Sequence, residues 1–282
     1  MSLLRNALPP GKLGKINIKT NQLLLDKYSG ATLALGLRKL KSDYSGACIR
    51  VRNETTNIET DIGFSSNNSI DSTSLANTAI LANSFVTTTY DLSKNSNHNI
   101  QTTTTAQPRI INGGTIDSWN GKPTITFDGI NDCFSHPNLS INGFSIFAVL
   151  KIIGSMSGYR SLFSSNNFNS ASGMMLLINT NANKWGTYGA SAERNANSGL
   201  SLNSIYLLEM HRSSSGDGVF YKNNTYDGLF SVTNSQTVAH IGGTNSFQNA
   251  PVQLSELIFY PFNNEANRAA IAANINAYYS IY

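Results

Sequence analysis

The sequence predicts an all-β sandwich, and three observations carry that prediction. Charged residues are only 13% of the 282-residue chain, about half the usual share. Asn, Ser and Thr make up a third of it; these residues favour turns, caps and the exposed faces of strands over helix interiors. From about residue 120 onward, short apolar runs alternate with Gly, Asn and Asp turns, and a clear helical period appears only at the C-terminus. A net charge of +4 with 40% apolar residues excludes a disordered chain. The length suits one large β domain, or one domain plus an arm.

The elements follow in order. Residues 1–27 contain Pro9-Pro10, scattered leucines and no strong period, which predicts an extended arm outside a domain spanning 28–282. Leu33, Leu37 and Leu40 fall at i, i+4 and i+7, so a short amphipathic helix is expected over 30–40. Alternation over Ala47–Val51 predicts a half-buried strand, with further strands at Asp61–Phe64 and Phe85–Tyr90. Between the last two, Asp71 heads a capped helical turn. The segment 123–127 leads into the Asp128-Gly129 turn. Residues 144–153 are apolar on both faces, as a central strand should be. Strands at 173–179, 205–211, 218–222, 238–241 and 252–260 complete the series, and a helix capped by Asn264 places Ile271, Ile275, Tyr278 and Tyr282 along one face.

Charge is unevenly spread. Residues 1–41 hold eight basic side chains against Asp26, a balance of +7, while the remaining 12 basic and 15 acidic residues leave 42–282 at −3. The lysines come without aromatic platforms or an arginine cluster, which disfavours nucleic acid. Docking on a partner protein through Arg5, Lys12, Lys15 and Lys19 is one reading of the arm; a solvated tail, or a strand pinned to its own domain, is the other. Cys48 and Cys133 sit in no metal-binding spacing and read as buried strand residues. The four histidines show no metal or nucleophile-base spacing, so neither a metal nor a cofactor is expected. The longest apolar run, FSIFAVLKII, is far too short to cross a membrane, and the first residues have no apolar segment of signal-peptide length.

The segments PTITFDGINDCF, GFSIFAVLKI, SIYLLEMHR, IGGTNSF and the ending LSELIFYPFNNEANRAAIAANINAYYSIY resemble the concanavalin A-like jelly roll of the laminin-G type. Upstream, YSGATLALGLRKLKSDYSGACIRVRN through FVTTTYDLSKNSNHN is similar to the start of fungal α-L-arabinofuranosidase B catalytic domains, and to tailed-phage proteins that carry the same module. The resemblance implies two packed antiparallel sheets and a short C-terminal helix. It also implies positions for a glycosidase's nucleophile and acid/base. The first matches Leu176, in Gly173-Met174-Met175-Leu176 ahead of Trp185-Gly186. The second matches Thr244, after Gly242-Gly243. Neither can do carboxylate chemistry. The other acids have local readings: Asp128 and Asp132 as loop caps, with a cation or sugar contact as the rival, and Glu209 and Glu256 as partners of neighbouring groups.

These readings lead to an expectation of a non-enzymatic virion protein of a tailed bacteriophage, a capsid decoration, tail or fibre component. The arm would attach it to other virion proteins, as a single copy or a homo-oligomer. The first alternative is a lectin-like module that binds host-surface glycan, with Trp185, Tyr188 and Phe247 stacking on sugar rings; the competing reading puts those aromatics in the core. The second alternative is a glycoside hydrolase with a relocated carboxylate pair.

Overall fold

The strand Phe144–Ile152 organises the molecule. All but Lys151 of its side chains are buried, and it lies between Ile205–Arg212 and Pro251–Tyr260 in antiparallel register, where a strand with no polar face belongs. In this computed structural model, residues 22–155, 158–165, 175–179, 184–189, 192–233, 235–243 and 248–282 are described, 175–179 in their backbone. The larger of two layers runs outward from that centre. On one side are Asp217–Lys222 and Thr225–Ser231. Beyond Pro251–Tyr260 come Ile125–Asp128, Arg109–Asn112, Ser84–Thr89, Ile49–Asn53 and Glu59–Ile62. The second layer is built from Asn99–Ile100, Phe134–Ile141, Gln236–Ile241, Tyr159–Ser164, Met175–Asn179, Lys184–Gly189 and Ala192–Gly199. Ser84–Thr89 belongs to both, pairing at its far end with Asn99–Ile100. Aromatic pairs join the layers: Phe127 with Phe134, Phe163 with Phe259 and Trp185 with Phe220, at centroid distances of 5.6, 5.5 and 5.0 Å. The expected all-β jelly-roll sandwich is present, with a helix at its C-terminus.

Three local expectations change. The helix over 30–40 is absent; Leu33–Gly36 is a strand pairing with the second half of Pro251–Tyr260. All four of its residues are buried, so the run has no alternating polar positions, and the spacing to Leu37 and Leu40 imitates a helical period. The Ala34 N–H donates to Asp91 Oδ1 at 2.9 Å, which fixes the strand to a distant loop. The boundary after Lys27 also moves upstream. Leu24–Lys27 forms a helical turn with Leu24 and Leu25 buried, the Leu25 N–H bonded to the Leu40 carbonyl. The C-terminal helix Arg268–Tyr279 follows a 3-10 turn, Glu265–Asn267, and Asn264 does not cap it through its side chain. Its buried face is Ile271, Ala272, Ile275 and Tyr279. Tyr282 lies beyond Ser280, whose φ of 55° ends the helix. The Asp71 cap forms as expected, accepting from the Thr73 and Ser74 N–H groups.

Candidate functional site

Register alone places a polar row on the outer face of the larger layer. Arg52 lies opposite Phe85, Phe85 opposite Arg109, Arg109 opposite Thr126 and Thr126 opposite Gln253. Side chains facing each other across a sheet share a face. Residues 104–107 and the loops holding Glu54, Asn57, Asn83 and Asp132 enclose this row in a pocket of about 530 Å³, a size typical of small-ligand sites.

The two arginines are held rigidly. Arg52 Nε donates to Gln107 Oε1 at 2.8 Å and its Nη1 to Asn57 Oδ1 at 2.9 Å, with the guanidinium 5.5 Å from the Phe85 ring centre. Arg109 forks onto Asp117 at 2.9 and 3.3 Å, and Asp117 also accepts from the Thr126 hydroxyl. Glu54 accepts from the Asn83 amide at 2.8 Å.

The Asp128-Gly129 turn brings two carboxyl groups into this pocket. Asp128 Oδ1 accepts the Ile130 N–H at 2.7 Å, and Asp132 Oδ2 accepts the Asp128 N–H at 2.8 Å. Each aspartate caps the other's loop, as the sequence suggests, and both line the pocket. Gly129, at φ +77°, has room for no side chain: a Cβ would meet Pro251 at 2.8 Å. Asp128 is exposed, whereas Asp132 is only 6% exposed. Burial pushes the Asp132 carboxyl up to about 7, against the lowering effect of its backbone hydrogen bond and of Arg109. A group so placed can still hold a proton near neutral pH, as a general acid requires.

Asp128 and Asp132 are the sequence candidates that the pocket brings together; the others lie elsewhere. Trp185 is fully buried: its indole N–H donates to Asp227 at 2.7 Å and its ring packs on Phe220. It is a core residue, so the sugar-stacking role is withdrawn. Tyr188 is half-buried, opposite Met175 and Glu193, and does not line the pocket. Phe247, Arg5, Lys12, Lys15 and Lys19 lie outside the described residues, as does Thr244. Leu176 sits in the second layer, its backbone opposite Thr187. Gly242, at φ +95°, has the Phe127 ring where a Cβ would be, at 2.3 Å, so packing accounts for it. Glu256 is buried against Arg38, at 2.6 and 3.0 Å, and Tyr279. Buried Glu209 makes no hydrogen bond and has Arg268 at 3.6 Å and His211 at 3.7 Å. Among the described residues no group of His, Cys, Asp and Glu is arranged to hold a metal ion. Arg52, Phe85 and Arg109 were not singled out, because strands from three distant stretches of chain bring them together.

No protein-family model matches the chain, and no curated protein matches it. Solved structures do. A GH54 α-L-arabinofuranosidase soaked with a cyclic sulfate inhibitor superposes with a TM-score of 0.67 at 13% identity, over 91% of this chain. An arabinofuranosidase complexed with arabinofuranosyl-α-1,2-xylobiose gives 0.65 at 14% identity, over 88%. This likeness establishes the fold. The chain spans 64% and 63% of the length of those two enzymes. A Trypanosoma rangeli sialidase matches more loosely, with a TM-score of 0.48 at 13% identity, over 67% of this chain and 31% of that one.

The comparisons overturn the expectation of a non-enzymatic phage virion component. The structures matching about nine-tenths of the chain are glycoside hydrolases, and they carry no link to a phage particle. The expectation of no enzymatic activity falls with it.

Proposed function

We propose that this chain is a carbohydrate-active protein that holds a neutral saccharide in the pocket beside Asp132 and cleaves its glycosidic bond. The relocated carboxylate pair is Asp132 and Asp128. Asp132 donates its proton to the glycosidic oxygen as that bond breaks. Asp128 stabilises the positive charge developing on the sugar ring and takes the proton of the attacking water. The observation that carries the reading is a buried carboxyl, raised to about 7, in the wall of a ligand-sized pocket beside an exposed carboxylate. The lining supports a neutral ligand. The charges are mixed, with Arg52 and the Asp117-paired Arg109 alongside Glu54 and Asp128, while Asn57, Asn83, Thr104, Thr105 and Gln107 supply neutral hydrogen-bonding groups. Phe85 adds an apolar surface for a ring face.

The test is reducing-end release and calorimetric binding over a panel of neutral oligosaccharides that includes arabinoxylo-oligosaccharides. Asp132→Asn should lower kcat by about 100-fold or more, the usual contribution of a general acid, with binding changed less than about threefold. Hydrolysis unaffected by both Asp132→Asn and Asp128→Asn would overturn the catalytic assignment. Absence of binding to every saccharide at millimolar concentration would overturn the whole reading.

A further inference from the structure

The same outer face carries a second concavity at its other end, over the hairpin of Asp217–Lys222 and Thr225–Ser231. Its volume is about 560 Å³, and its floor is Val219, Tyr221, Tyr226 and Leu229. Register puts Tyr221 opposite Tyr226 and Val219 opposite Leu229, so the four form one patch. Tyr226 is 53% exposed and Leu229 71% exposed, although strands that end a layer usually carry polar residues outward. The patch is rigid. The Tyr221 hydroxyl donates to Glu265 Oε1 at 2.9 Å, and the Arg268 guanidinium lies 3.7 Å from the Tyr221 ring centre. Tyr226 stands edge-on to Tyr221, with centroids 6.2 Å apart and an interplanar angle of 82°. The rim is polar: Ser213, Ser215, Asp217, Asn263 and Glu265.

We infer that this groove is a second, non-catalytic saccharide-binding site, which holds a neutral polysaccharide chain against the protein away from the Asp132 pocket. An exposed aromatic ring beside an aliphatic side chain gives the flat apolar surface that a pyranose C–H face covers. Carboxylates and hydroxyls at the edge accept hydrogen bonds from the sugar hydroxyls. The rim carries the carboxylates of Asp217 and Glu265, and the nearby Arg268 guanidinium is stacked on Tyr221 and bonded to Asn224, which disfavours an anionic chain; each hydroxyl at the edge can both donate and accept. The strands Ile125–Asp128 and Asp217–Lys222 are separated in the layer by Pro251–Tyr260, Phe144–Ile152 and Ile205–Arg212. At about 4.8 Å per strand, the two sites are on the order of 20 Å apart, so a short oligosaccharide cannot occupy both. The ligand class rests on the carbohydrate reading above; the site rests on its own geometry.

Retention in affinity gels containing soluble arabinoxylan, β-glucan or galactan tests it, using the full chain at low temperature. Tyr226→Ala should weaken retention at least tenfold in the polysaccharide that binds, with the melting temperature and the hydrolysis of a short oligosaccharide unchanged. Leu229→Ser should act in the same direction, and Asp132→Asn should leave retention intact. Wild-type retention by both groove variants, or no retention of the native chain in any gel, overturns the second site. The catalytic reading is judged separately, by whether the short substrate is cleaved.

Discussion

Asp132 couples chemistry to stability through one proton. Its carboxyl is raised from 3.8 to about 7 because burial penalises the charged form. The folded protein therefore keeps a proton that the unfolded chain releases, and the stabilisation is complete below about pH 4. It is lost as pH rises through 7, since a raised acid must then be ionised inside the fold. Asparagine has no proton to lose. The melting temperatures of wild type and Asp132→Asn should thus converge at about pH 4, separate progressively between about pH 4 and pH 7, and stay apart above pH 7, with the variant higher. Curves that stay parallel from pH 4 to 9 would show that the carboxyl titrates as it does in the unfolded chain. Hydrolysis should fall over the same range above pH 7, as the acid loses its proton. The sequence marks the residue as a loop cap, with a cation or sugar contact as the rival reading, and the cap is present. Asp132 shares its pocket with residues more than twenty positions away, such as Arg109, Thr104, Thr105 and Gln107.

The C-terminal helix shows what holds an element on this sheet. Ile271, Ala272, Ile275 and Tyr279 supply the apolar contact, and two buried charges fix its ends. Near the start, Arg268 is 3.6 Å from Glu209. Near the finish, Tyr279 reaches Glu256, which is paired with Arg38. Arg268→Ala leaves Glu209 buried without its cation and should cost about 3 kcal/mol in denaturant unfolding. The further change Glu209→Gln should return part of that loss; equal stability of wild type and Arg268→Ala would mean that the helix is held by packing alone. Periodicity revealed the helix and its isoleucines, because a 3.6 repeat is written locally. It could not reveal Glu209, which reads as one polar residue in an apolar strand. The strand Leu33–Gly36 failed for a related reason: its partners, Phe259 and Asp91, are far along the chain.

At the scale of the molecule, the two layers divide the functional possibilities. Leu176, which the resemblance marks for a glycosidase carboxylate, belongs to the second layer, whereas Asp132 and Asp128 open onto the outer face of the first. The sandwich was legible from composition and turn spacing. The pocket was not, since it exists only through the register of strands distant in sequence. Where the sandwich begins is equally a matter of long-range contact. Leu24 and Leu25 are buried, and Asp26 accepts the Ser42 N–H at 3.1 and 3.2 Å, so residues 24–27 act as part of the core. Chains beginning at residue 22 and at residue 28 should therefore differ. Losing two buried leucines removes about 4 kcal/mol, which for a domain of this size lowers the melting temperature by on the order of 10 °C. Thermal unfolding of the two truncations side by side measures this directly. Equal melting temperatures would return the boundary to Lys27 and make the Leu24 turn a passenger on the surface it covers.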